Sequence, residues 1–165
     1  MAHSRRSRSE QTTYGYLRYE YNSKDGGKNH LVLPLIRVSL KSDTDELSTI
    51  ALVDSGSTDT LIPLELATLL SIEYTKGSNG STLKVETTGA GGVFDCYRAR
   101  IKHIGCVKEK HAFANLFGRE ILIPSRPDAI PYVILGRDTI FKKFDVTFSE
   151  KRHKLVFTKT GATES

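Results

Sequence analysis

The residues with the clearest chemical potential lie in the stretch Ile50-Ala51-Leu52-Val53-Asp54-Ser55-Gly56-Ser57-Thr58-Asp59-Thr60-Leu61-Ile62-Pro63. An apolar run, Ile50 to Val53, delivers the Asp54 carboxylate into a Ser-Gly turn, and a second apolar run, Leu61 to Pro63, leaves it. An ion held between two apolar strands costs several kcal/mol, on the order of that for any buried charge, unless donors surround it. The Gly56 amide and the Ser55 and Ser57 hydroxyls are such donors, so the stretch reads as a site built to hold an acid. A rival set of chemical residues is Cys96, His103, Cys106 and His111, which have the ligand types for zinc. Their spacing fits no compact zinc knuckle. Cys96 and His103 also fall at an odd separation on one expected strand, which turns them to opposite faces. No metal or other cofactor is therefore expected.

The elements that must position Asp54 follow from period and punctuation. Thr13 to Tyr21 alternates aromatic and polar residues and predicts an N-terminal strand, and Asn22 to Asn29, with Asp25-Gly26-Gly27, predicts a turn. Leu31 to Leu40 reads as a strand, Lys41 to Glu46 as a polar hairpin connection, and Leu47 to Val53 as the strand that carries the acid. Pro63 to Leu70 changes to a helical period with Pro63 near the first turn. Lys76 to Ser81 is a loop. Leu83 to Glu86, the cluster Gly89-Ala90-Gly91-Gly92, and Val93 to Ile104 predict a long hairpin with a glycine-rich tip. Cys106 to Phe117 predicts a strand pair, and Gly118 to Pro131, with three prolines, a loop. Tyr132 to Leu135 predicts a buried strand and Asp138 to Phe144 a short helix. Asp145 to Phe148 and Lys154 to Phe157 form a hairpin about Ser149 to Arg152. Residues 1–12 read as a disordered basic tail, 13–158 as one domain, and 159–165 as a polar tail.

Two segments carry a family resemblance. Asp54-Ser55-Gly56-Ser57 and, further on, Tyr132-Val133-Ile134-Leu135-Gly136-Arg137-Asp138 resemble the two signature segments of retropepsin-like aspartic proteases, the single-domain relatives of pepsin. The order of the segments, their apolar flanks and the helix-like stretch after Asp138 agree with that pattern from roughly Leu31 to Phe157. The resemblance implies an all-β acid-protease barrel with one or two short helices, one lobe per chain. It also implies an aspartic endopeptidase that needs two facing carboxylates. At 165 residues the chain holds one domain, and Asp54-Ser55-Gly56 is its single Asp-Ser/Thr-Gly string; Asp25-Gly26-Gly27 lacks the hydroxyl and the apolar approach. The second acid must then come from a second copy, across the axis of a C2 homodimer.

By the same resemblance, one proton is shared by the two Asp54 carboxylates, because like charges that close cannot both ionise cheaply. The ionised member takes a proton from a water held between them as that water attacks the scissile carbonyl, and the protonated member donates to the carbonyl oxygen. Ser55 is implied to cross-bond to the partner chain, Gly56 to let its backbone approach the peptide, and Ser57 to donate to the outer oxygen of Asp54. Gly89, Ala90, Gly91 and Gly92 fall where the family places the flap over the substrate. Leu52, Tyr132 and Ile134 are implied to line side-chain pockets, which favours apolar or aromatic residues beside the cleaved bond. Leu135, Gly136, Arg137 and Asp138 are the structural signature. The acid pattern after Ser57 departs from retroviral members, and the partner of Arg137 stays open among Asp59, Asp138 and an acid across the dimer.

The remaining composition bounds the function classes. The formal net charge is +5, with the excess in Arg5, Arg6 and Arg8 and in Lys142, Lys143, Lys151, Arg152 and Lys154. These read as solvated surface and tail rather than a nucleic-acid site. No stretch has the length of a membrane span and no signal-peptide core follows the first basic residues, so a soluble cytoplasmic protein is expected, with a peptide or protein substrate. Two cysteines suit a reducing compartment. A second reading is a catalytically silent dimerisation or peptide-binding module of the same fold, associated with nucleic acid through its basic tail. An intact acid turn speaks against it, since an unused buried acid pair destabilises an interface.

Overall fold

The computed structural model describes residues 10–75, 95–109 and 111–159. The first strands are β1 (Gln11–Gly15), β2 (Leu17–Asn22), β3 (Lys28–Leu33), β4 (Leu35–Lys41) and β5 (Glu46–Val53), the last leading into the acid turn. A short helix, α1 (Leu64–Leu69), and β6 (Tyr74–Thr75) follow. The rest is β7 (Cys96–Lys108), β8 (His111–Pro124), β9 (Val133–Leu135), a 3-10 turn at Ile140–Lys142, β10 (Phe144–Ser149) and β11 (Lys154–Lys159). The fold is all-β. The central sheet runs β6-β7-β4-β5-β9 with β8 added on β7, a second sheet runs β1-β11-β10, and β2 with β3 forms a separate two-stranded ribbon. Among the described residues, no helix is long and apolar enough to cross a membrane.

Alternation decides which faces meet. In β4, Ile36, Val38 and Leu40 point inward, and in β5 Ala51 and Val53 do the same. They join Ile62, Ala67 and Leu70 from the acid loop and α1, Ile104 and Leu116 from β7 and β8, and Leu155 and Phe157 from β11 in one core cluster. The two larger sheets therefore share a core. Where they meet, Phe157 packs against Tyr14, Phe113 and Phe144 with ring centroids 5.1 to 5.9 Å apart, in the tilted and edge-on geometries aromatic quadrupoles favour.

Several expected elements are redrawn. The single strand expected over Thr13 to Tyr21 is two strands in different sheets: β1 pairs with β11, whereas β2 pairs with β3. The break comes after Tyr16, whose amide still follows the β1–β11 register in donating to the His153 carbonyl at 2.8 Å, whereas Leu17 pairs with Leu33. Leu31 to Leu40 is likewise divided, at Pro34, which has no N–H to continue a ladder. The loop expected from Gly118 to Pro131 is strand as far as Pro124. Gly118, at φ +56°, kinks β8 without ending it, and Ile121, Leu122 and Ile123 beyond it are buried. Pro124 is the last residue of the strand, where a missing donor costs little. The helix expected after Asp138 is only the 3-10 turn. The expected strand over Leu83 to Glu86 and the glycine-rich hairpin tip lie outside the described residues.

Candidate active site

The acid turn is built by strand β9 passing between its two arms. On one side β9 runs parallel to β5, with Leu52 opposite Ile134 and Val53 opposite Leu135, and the Asp54 amide donates to the Leu135 carbonyl at 3.1 Å. On the other side the departing arm is antiparallel: Leu61 and Ile134 exchange both amide bonds at 2.9 Å. Beyond β9, the Arg137 amide donates to the Ser57 carbonyl at 2.9 Å and the Asp138 amide to the Thr58 carbonyl at 3.0 Å. Both signature segments thus form one clamp. Gly136 sits at the crossing, and a Cβ there would stand 2.2 Å from the Asp59 carbonyl oxygen and 2.9 Å from that of Thr58. Only glycine permits this approach of two backbones.

Asp54 is half-buried at the mouth of this turn, while Ser55 and Gly56 are exposed. The Gly56 N–H donates to Asp54 Oδ1 at 2.8 Å, so the turn orients the carboxylate. A charge-assisted bond of this kind is among the stronger hydrogen bonds. Ser57, expected on the outer oxygen of Asp54, instead donates its hydroxyl to the Asp59 carbonyl at 2.7 Å and braces the turn from within. The exposed Arg137 donates through Nη2 to the Thr58 hydroxyl at 2.8 Å, a partner outside the three considered for it. It ties the second signature segment to the residue following Ser57.

Two residues not singled out from the sequence complete the clamp. Thr60 and Thr139 are fully buried, with hydroxyls 2.8 Å apart. The Thr60 oxygen also accepts from the Gly136 N–H at 3.3 Å and lies 3.0 Å from Asp138 Oδ1, while Thr139 donates to the Gly136 carbonyl at 3.1 Å. The one available signal was a lone hydroxyl residue against an apolar run, which by itself names no partner. Burial raises the proton affinity of the Asp138 carboxyl above its ordinary range; nearby Asp59 adds to this, and the Thr60 hydroxyl, Lys142 and Arg119 oppose it. A cavity of about 280 Å³ behind the loop is lined by Asp59, Arg98, Arg119, Asp138 and Lys142 among others.

Of the expected pocket residues, Leu52 and Ile134 are register partners and half-buried, and Tyr132 is half-buried just before β9. Burial raises the proton affinity of the Tyr132 phenol, with Tyr19 and the Asp54 carboxylate adding to it, so Tyr132 stands within the field of the acid. Gly89, Ala90, Gly91 and Gly92 lie outside the described residues. Cys96 and Cys106 are buried, and burial pushes the Cys106 thiol up to about 12, which keeps it protonated and inert. His103 Nε2 is 2.8 Å from Asn115 Oδ1 and its ring stacks on Phe117. Among the described residues no three metal-ligating side chains gather into a site.

No family model matches the sequence, and no curated protein matches it. Solved structures do. A retropepsin-like aspartic protease from Rickettsia conorii is similar at 11% identity and a TM-score of 0.47, over 93% of this chain and 96% of that one. The EIAV protease, in complex with an inhibitor, is similar at 22% identity and a TM-score of 0.43, over 64% and 83% of the two chains. The retroviral protease-like domain of Ddi1 from Leishmania major is similar at 11% identity and a TM-score of 0.46, over 81% and 98%. In fold, the chain is similar to the retropepsin-like aspartic proteases.

Proposed function

We propose that this protein is an aspartic endopeptidase whose active unit is a homodimer, with Asp54 of each copy forming the acid–base pair. The observation that carries this reading is the placement of Asp54. It is the half-exposed carboxylate of a turn that is rigidly clamped, oriented by the Gly56 amide and opened outward through Ser55 and Gly56. Such a clamp fixes an acid in one position, as catalysis requires, and leaves it available to a symmetry mate.

In the dimer one proton is shared between the two carboxylates. The ionised Asp54 accepts a proton from a water between them as the water oxygen bonds to the scissile carbonyl carbon. The protonated Asp54 donates to the carbonyl oxygen, giving a neutral gem-diol. Its collapse breaks the C–N bond, with one carboxyl protonating the departing amine and the other recovering a proton from the diol. Leu52, Tyr132 and Ile134 line the pockets beside that bond and favour apolar or aromatic residues.

The test is cleavage of a peptide library by wild type and by Asp54→Asn, at concentrations bracketing the dimerisation measured by sedimentation. Activity should follow the dimer and fall at least about a thousandfold in the variant, in keeping with loss of a general acid–base pair. A variant that cuts as well as wild type overturns the dyad. If neither protein cuts from acidic to neutral pH while both dimerise, the silent-module reading takes its place.

A further inference from the structure

The β2–β3 ribbon lies outside the two signature segments that form the acid clamp, and its sequence is two-faced. The register pairs Leu17 with Leu33, Tyr19 with Leu31 and Tyr21 with Asn29, which puts Leu17, Tyr19, Tyr21, Leu31 and Leu33 on one face. The opposite face is mostly polar, and there Arg18 and His30 bond side chain to side chain at 2.9 Å. At its root the apolar face is partly covered, but further out Tyr21 and Leu31 are 40% and 48% exposed. Among the described residues neither ribbon strand pairs with any other strand.

The root of the ribbon lies beside Asp54. Just after β3, the Pro34 carbonyl accepts from the Val53 amide at 3.0 Å, one residue before the acid. On the neighbouring strand, Tyr19 meets Tyr132 edge to face with ring centroids 5.4 Å apart, and Tyr132 immediately precedes β9. The apolar face therefore continues from the rim of the acid turn outward. Along the length of β2 a hollow of about 420 Å³ is lined by Tyr19 and Tyr21 from this face and by Glu20, Asn22 and Lys28 from the polar one, so it opens at the side of the ribbon next to the apolar residues.

We infer that the ribbon is a substrate-binding arm, in which Tyr19, Tyr21 and Leu31 take an apolar or aromatic side chain of an extended peptide, several residues away from the bond cut at Asp54. This rests on the endopeptidase reading. A second copy of the chain is a poorer occupant. With Tyr21 and Leu31 less than half exposed and Tyr19 half-buried, the face offers on the order of 250 Å², given about 150–250 Å² for a whole aromatic side chain, whereas a stable interface buries about 1,200–2,000 Å² in total. A single peptide strand needs no more than this face supplies, and tyrosine provides wide contact at small entropic cost.

The test compares two peptides that share one cleaved bond. One, of about six residues, spans only about 20 Å extended and stops short of the outer ribbon; the other is about twice as long. Wild type, Tyr21→Ser/Leu31→Ser and Tyr21→Phe are assayed on both, with dimer mass recorded. Both altered positions are exposed, so folding is preserved. The double variant should raise KM for the long peptide about tenfold, the effect of losing one well-buried apolar side chain. Its kcat should hold, the short peptide should be unaffected, and Tyr21→Phe should behave as wild type. Equal kinetics for wild type and double variant on the long peptide overturn the arm. So does an equal loss on both peptides, or a fall in dimer mass, which would make the ribbon an assembly element. A wild-type dimer that cleaves neither peptide overturns the endopeptidase reading, and the arm with it.

Discussion

Replacing Gly136 by alanine tests the clamp that holds Asp54. The added methyl would stand 2.2 Å from the Asp59 carbonyl oxygen, 2.6 Å from its carbon and 2.9 Å from the Thr58 oxygen. All three are backbone atoms within a turn, so no side-chain rotation relieves the overlap. The loop must separate from the segment after β9, and the bonds at risk are the Arg137 and Asp138 amides to Ser57 and Thr58, at 2.9 and 3.0 Å. Each is worth about 0.5–1.5 kcal/mol, and overpacking itself costs about 1–3 kcal/mol, so a loss of about 3 kcal/mol is expected. Against a total stability of about 5–15 kcal/mol, that shifts a urea midpoint by roughly 1.5 M for an m-value near 2 kcal/mol/M. Gly15→Ala is the control, because a Cβ there meets nothing within 4 Å. Its stability should stay within about 0.5 kcal/mol of wild type, as for an ordinary surface change. A Gly136→Ala protein as stable as the control would refute the two-segment clamp, and with it the physical reason Asp54 is held in place.

Two further expectations concern buried polar groups. Burial raises the folded-state proton affinity of Asp138 above its ordinary 3.8, so its contribution to stability is full below that pH and is lost as pH rises through the raised value. Asp138→Asn, which keeps an acceptor toward Thr60, should therefore gain on wild type in urea melts between about pH 4 and pH 7; an identical difference at both pH values would exclude the ionisation cost. Tyr14 has a buried hydroxyl with no hydrogen-bond partner among the described residues, and burial lifts its proton affinity beyond the usual phenol range. Tyr14→Phe keeps the ring contacts with Phe113 and Phe157 and removes the orphan, so thermal unfolding should show no loss and a gain of up to about 1 kcal/mol. A loss of that size would mean the hydroxyl is bonded.

What was legible in the sequence was local. The apolar run into the acid turn marked β5, the hairpin about Ser149 to Arg152 marked β10 and β11, the change of period at Pro63 marked α1, and Asp54-Ser55-Gly56 with Leu135-Gly136-Arg137-Asp138 marked the two halves of the site. Each of these signals is complete within a few residues. Gly118 and Pro124 misled for the same reason: they punctuate locally, yet pairing with β7 carries β8 past one and up to the other. The aromatic alternation of Thr13 to Tyr21 could not say that its first half would pair with β11 and its second half, from Leu17, with β3.

The sequence by itself determined that an acid would sit in a tight turn between apolar strands, and that a glycine would recur near it. Only the tertiary structure decided why that glycine is needed, since the carbonyl it must clear belongs to Asp59, more than seventy residues earlier. It likewise assigned Ser57 to a backbone carbonyl, Arg137 to Thr58, and Thr60 and Thr139 to a buried hydroxyl pair. The physical reason is that side-chain partners depend on which strands lie side by side, and strand neighbours are chosen by burial and register across the whole chain.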